Sequence, residues 1–180
     1  MKKDLKKTIE IPEGVEVSVE GTRVTIKGKE GELKKQYRIG KSIIEKKENE
    51  IILHCKGASK TEKKLMNSVT AHIRNMIKGV QEKFEYELKI CSSHFPMNVE
   101  IKGADVWIKN FLGEKNPRIS KIIPGCEVEN KGDKIIVRAC DIEKAGQTSA
   151  NFEKATTIPK KDKRIFQDGI YITKKPRGEI

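Results

Sequence analysis

The chain repeats itself. Ile11-Pro12 and Phe95-Pro96 stand 84 positions apart. At the same offset Val15-Glu16-Val17 matches Val99-Glu100-Ile101, and Ile51-Ile52-Leu53-His54-Cys55 matches the run Ile135-Ile136-Val137-Arg138-Ala139-Cys140. Val24-Thr25-Ile26-Lys27 matches Val106-Trp107-Ile108-Lys109 after a two-residue slip. The matched segments alternate apolar with polar residues, the pattern of half-buried strands. A repeat this long is a domain rather than a solenoid unit. Chance likeness between two α+β stretches does not produce an equal offset at both ends.

Each copy reads as several strands followed by one helix. In the first, strands are expected at 15–19, 23–27, 32–38, 42–45 and 50–56. Helix 60–78 follows, with Leu65, Met66, Val69, His72, Ile73, Met76 and Ile77 on one stripe. Ser59 or Thr61 can cap it, and Gly79 sits where a helix stops. A strand over 83–90 leads into the second copy. There, strands are expected at 99–102, 106–109, 118–123, 127–129 and 135–139. Helix 142–155 would face the sheet through Ile142, Ala145, Ala150 and Phe152. The fold class is therefore α+β: two tandem duplicated domains, 1–82 and 83–156, each an antiparallel or mixed sheet on one helix. Residues 157–180 form a basic C-terminal extension, kept from helix by Pro159, Gly169, Pro176 and Gly178.

Charge narrows the function. Among 180 residues, 38 Lys+Arg oppose 26 Asp+Glu, a net charge of +12. Such an excess points to a polyanion, because each cation that neutralises a phosphate releases a condensed counterion. The stretch 154–180 alone has eight Lys/Arg and three Asp/Glu, net +5. No run approaches ~18 apolar residues, so no transmembrane helix is expected. The basic start has no apolar run behind it and does not read as a secretory signal. The cysteines, Cys55, Cys91, Cys126 and Cys140, contain no C-x-x-C, so neither a zinc site nor a disulfide framework is expected. No cofactor and no metal are called for, and a reducing cytoplasm is the expected setting.

Signatures of chemistry are absent. His54-Cys55 and Ser92-Ser93-His94 put base and nucleophile side by side, but neighbours on a strand point to opposite faces. Gly28-x-x-Gly31 joins two strands and reads as a hairpin turn, not as the helix-joining clamp of a KH domain. There is no P-loop, G-x-G-x-x-G or H-E-x-x-H. Asp141-x-Glu143 reads as a helix cap. One Trp, three Tyr and five Phe are too few for an RRM-like stacking sheet, so phosphate and shape recognition is favoured. The tail offers Lys160, Lys161, Lys163, Arg164, Lys174, Lys175 and Arg177, with Tyr171 among apolar anchors. Lys60, Lys64 and Arg74 on the first helix are further candidate RNA contacts.

Three motifs, in order along the chain, carry a resemblance. Ala155-Thr156-Thr157-Ile158 with Lys161-Asp162, Arg164, Phe166 and Asp168-Gly169-Ile170-Tyr171 resembles the C-terminal signature of the large ribosomal subunit protein six family, archaeal and eukaryotic type. The stretch from Val24 to Leu33 is similar to its first-domain hairpin, and His94-Phe95-Pro96-Met97-Asn98-Val99 to its inter-domain junction. The resemblance implies two similar α+β domains and no enzymatic activity. It implies attachment to large-subunit rRNA near the sarcin–ricin loop and stalk base, with the second domain and tail making much of the contact. Neighbouring ribosomal proteins at the stalk base, a ribosome-bound cytoplasmic location and an archaeal-type ribosome go with it. The bacterial C-terminal signature is absent.

The readings to separate are thus a structural rRNA binder, an RNA-processing enzyme, and an RNA-binding interaction scaffold outside the ribosome. A scaffold could meet protein through the polar face of the first helix. Gln147-Thr148-Ser149-Ala150-Asn151 is unusually polar for a packing helix, and its partner, RNA or protein, is open at this level. Truncation after Thr157 is expected to weaken rRNA binding far more than it unfolds the domains.

Overall fold

The computed structural model describes residues 3–162, 164–176, 178 and 179. The chain divides into two compact units, Met1–Lys83 and Phe84–Ile180. The duplicated strand patterns become duplicated burial. Ile51, Leu53 and Cys55 in the first unit are buried, as are their counterparts Ile135, Val137 and Ala139. Val24 and Ile26 are matched in the same way by Val106 and Ile108.

In the first unit, β1 (Lys3–Glu10), β6 (Glu50–Ala58) and β5 (Ile43–Lys47) form one antiparallel sheet, in that order. β2 (Glu16–Glu20), β3 (Arg23–Gly28) and β4 (Gly31–Gln36) form a second. Sequence periodicity did not reveal β1. Its lysines obscure the alternation, and register with β6 (Leu5 opposite Cys55, Ile9 opposite Ile51) places its two apolar residues on the core side.

Helix α1 runs Lys60–Gln81. Ser59 caps it in a reciprocal box: its Oγ accepts from the Glu62 N–H at 3.4 Å, and its own N–H donates to Glu62 Oε2 at 2.6 Å. Met66, Val69, Ile73, Met76, Ile77 and Val80 are buried against the sheets. His72 lies at the edge of that stripe, stacked on Tyr37 with ring centroids 6.1 Å apart. Gly79, expected to end the helix, is buried within it, because Val80 still has core to fill.

Val80 explains Gly28 as well. A Cβ on Gly28 would lie 2.8 Å from both Val80 Cγ2 and the Val80 carbonyl oxygen. That oxygen accepts from the Glu30 N–H at 2.9 Å. The hairpin's positive φ falls on Gly31, while Gly28 is needed for close approach to the helix. Gly28→Ala should lower the stability of the first unit by about 1–3 kcal/mol, since the backbone atom cannot move aside. A lowered urea midpoint at unchanged m-value would show it.

In the second unit, β8 (Asn98–Lys102), β9 (Asp105–Lys109) and β10 (Arg118–Lys121) form a three-stranded sheet in the order β10-β9-β8. β7 (Phe84–Cys91), β11 (Glu127–Lys131) and β12 (Lys134–Ala139) correspond to β1, β5 and β6. Their sheet is larger, ordered β11-β12-β7-β13-β14. The added strands are β13 (Gly169–Lys175) and β14 (Gly178–Glu179). The expected basic extension is therefore, over its second half, a partner of β7, with Ile170 opposite Ile90 and Tyr171 opposite Lys89. The alternation Ile170, Tyr171, Ile172 turns one side into the core, and Ile170 is 0% exposed.

Helix α2 (Ile142–Ala155) packs through Ala145, Thr148, Ser149 and Phe152 rather than through Ala150. Thr148 and Ser149 of its polar run are buried, while Gln147 is exposed. Thr148 Oγ1 accepts from the Ile123 N–H and donates to Cys126 Sγ, each at 3.3 Å, and Ser149 Oγ donates to the Ala145 carbonyl. Asn151 Nδ2 donates to the Lys121 carbonyl at 3.1 Å. These groups satisfy the unit's own loops.

Candidate nucleic-acid interface

At 3.6 residues per turn, Lys60, Lys64, Arg74 and Lys78 fall on one side of α1, opposite Met66, Val69 and Ile73. All four are exposed, over roughly 27 Å of helix at 1.5 Å per residue. The helix's one acidic residue, Glu62, is held in the cap. Lys60, Lys63 and Lys64 crowd the N-terminal turns, where the helix dipole disfavours cations. Lys78, in the last turn, is favoured by the dipole, so only the N-terminal lysines of the stripe gain nothing for the helix itself.

In the second unit the candidates lie on the segment before β13 and on β13. Lys160 is exposed with φ 59. Lys161 Nζ sits 4.2 Å from the centroid of the Phe166 ring, and His94 stacks on Phe166 at 5.2 Å. Arg164, 90% exposed, is turned back on Asp162, with Nη2 to Oδ2 at 2.7 Å. That guanidinium holds the Asp162 carboxyl below its ordinary range. Tyr171 presents half its ring while its hydroxyl donates to the Asp168 carbonyl at 3.4 Å. On β13, Lys174 Nζ meets Glu87 Oε1 at 3.1 Å, and Lys175 is exposed. Lys163 and Arg177 lie outside the described residues. Arg164 and Lys174 are thus partly neutralised at home. Lys160, Lys161 and Lys175 stand on the same segment without such a pairing among the described residues, and Lys161 leans on an aromatic ring instead.

What the sequence did not reveal is the clamp that holds this segment. Asp168 is 2% exposed. Its Oδ1 accepts from the Ser93 N–H at 2.6 Å and the His94 N–H at 2.9 Å, and its Oδ2 lies 2.5 Å from His94 Nδ1. Burial pushes this carboxyl up, but the three hydrogen bonds and the His94 ring outweigh it and hold the pKa below the ordinary 3.8. His94 does have an acidic partner, 74 positions away and not beside it in sequence. The pair is a strut between two chain segments. The tail motif and the His94-Phe95-Pro96 motif, far apart in sequence, meet here.

Beside the clamp, a cavity of about 330 Å³ is lined by Ala150, Lys154, Thr157, Ile158, Phe166 and Tyr171, among others. Among the described residues no group of His, Cys, Asp and Glu is arranged to hold a metal ion. No described helix is long and apolar enough to cross a membrane.

Comparison with known proteins agrees with this layout. The family model described as ribosomal protein L6 matches twice, over residues 11–83 and 95–169, once in each unit. The large ribosomal subunit protein uL6 of Aeropyrum pernix is 46% identical over 165 residues, covering 91% of both chains. That of Ignicoccus hospitalis is 44% identical over 169 residues, again 91% of each. That of Methanobrevibacter smithii is 42% identical over 171 residues, 95% of this chain and 96% of its own. With both units matched and the similarity running nearly end to end, the chain belongs to the ribosomal protein L6 family.

Proposed function

We propose that this protein is a structural, non-enzymatic component of the large ribosomal subunit that binds large-subunit rRNA. The observation that carries the reading is the family match in both units. Basic residues in both units support it: the α1 stripe in one, and in the other Lys160 and Lys161 ahead of β13 with Lys175 at the far end of that strand. The mechanism is electrostatic. Lysines placed along a rigid helix and on a clamped loop replace the counterions of converging phosphates. With so few aromatic residues, backbone and shape carry the recognition. The finer proposal places the site near the sarcin–ricin loop and the stalk base, on a ribosome-bound protein of the cytoplasm with ribosomal neighbours.

Salt-dependent co-sedimentation with large subunits, followed by footprinting of the rRNA, tests both levels. Protection at the sarcin–ricin loop is expected. A chain that stays free of the particle at low salt would sink the assignment, and protection elsewhere would sink only the location. For the stripe, combined Lys60→Ala, Lys64→Ala and Arg74→Ala should reduce the slope of log K against log salt by roughly 0.7–0.9 for each phosphate no longer neutralised. The melting temperature should not fall, because the changes at Lys60 and Lys64 relieve the dipole and all three keep helix propensity. An unchanged slope would remove these residues from the interface.

A further inference from the structure

The duplication allows one unit to serve as a control for the other. In β2-β3-β4 the row Ser18–Thr25–Lys34 crosses the sheet on the face turned from the core. The equivalent row in the second unit is Glu100–Trp107–Ile119. Three polar residues in one copy correspond to a carboxylate, an indole and an isoleucine in the other. Ile119 is 51% exposed, and Trp107 is the chain's single tryptophan. Sheet stability does not require this, since the first unit forms the same sheet with a polar row.

The surrounding charges indicate the kind of partner. Lys102, Lys109 and Lys121 frame the row, with Asp105 between Lys102 and Lys121 in register. Glu100 binds two of the lysines, Lys109 at 2.6 Å and Lys102 at 3.4 Å. These pairs lower the Glu100 pKa, chiefly through the hydrogen bond from Lys109, and keep it a carboxylate. Lys102 Nζ lies 4.9 Å from the Trp107 ring centroid, so a stacking base would have to displace it. A face with a fixed carboxylate, largely self-neutralised lysines and an apolar centre suits protein better than phosphate. Aromatic anchors with a charged rim are the usual composition of such interfaces.

We infer that the outer face of β8-β9-β10 docks a neighbouring large-subunit protein, which inserts an apolar side chain between Trp107 and Ile119 and sets a carboxylate against Lys121, the framing lysine that Glu100 does not hold. This rests on the large-subunit role proposed above. The single tryptophan makes the test direct. The chain is produced with 7-azatryptophan at position 107, excited to the red of the subunit's ordinary tryptophans, and its emission is followed as the full-length chain is added to salt-washed large subunits lacking it, and separately to protein-free large-subunit rRNA. A blue shift with the subunits and none with the rRNA is expected. Ile119→Glu, at an exposed site, should keep its melting temperature and weaken association with the subunits about tenfold. Co-sedimentation without any shift overturns the docking face alone. An equal shift with rRNA assigns the face to RNA and also overturns it. A chain that does not co-sediment overturns the large-subunit reading together with this inference.

Discussion

Truncation after Thr157 should unfold the second unit. The sequence suggested the opposite, a tail that could be removed with the domains intact. The register of β13 on β7 and the full burial of Ile170 reverse that expectation. Deleting a buried isoleucine side chain alone costs about 2–5 kcal/mol. The truncation also strips β7 of one of its two neighbours and removes the Ile170 N–H that donates to Thr156 Oγ1 at 3.0 Å. Against a domain stability of about 5–15 kcal/mol, these losses leave the unit marginal or unfolded. Hydrogen exchange is the measurement. Amides of β7 and β12 should lose most of their protection while those of β6 and α1 keep it. Full protection of β7 in the truncated chain would show that β13 is dispensable. Weaker rRNA binding on truncation therefore does not isolate the tail's phosphate partners. Charge reversal at Lys160, Lys161 and Lys175 does, because these side chains are exposed.

Asp168→Ala is expected to cost about 2–4 kcal/mol, because hydrogen bonds to a carboxylate contribute about 1.5–3 kcal/mol each and several are removed together. Asp168→Asn keeps an acceptor for the two N–H groups and should cost less. Thermal unfolding of the two variants should rank them in that order below the parent, and equal destabilisation would point to charge rather than hydrogen bonding. The pH dependence follows in sign. The folded pKa of Asp168 is depressed, so its contribution is complete above the unfolded value of about 3.9. It is lost as pH falls through the lower folded value. The parent should thus lose stability faster than Asp168→Asn below about pH 4. Because Asp168 fastens the segment carrying Lys160 and Lys161, the alanine variant should also bind rRNA less tightly with a slope no smaller than the parent's.

Much of the fold could be read from single residues. The strands around Val24, Ile26, Leu53 and Val137 follow from alternation, and α1 from its stripe and the Ser59–Glu62 box. β1 could not be read, since Leu5 and Ile9 are too sparse to signal a strand until β6 lies beside them. α1 runs past Gly79 because the volume Val80 fills lies against β3, far off in sequence. The candidate cations were legible as residue types. Which of them are paired depended on Asp162 and Glu87, and the Glu87 pair on strands brought together by folding.

The duplication, the positive charge and the family are written in the order of the residues, because periodicity, composition and ordered motifs are local properties of a chain. Folding in three dimensions made the tail a strand of the second unit, fastened it through Asp168 to Ser93 and His94, and set Trp107 and Ile119 in one outer row. Each of these depends on residues separated in sequence becoming neighbours. Pairing across 74 or more positions, as between β7 and β13, leaves no periodic mark in either partner.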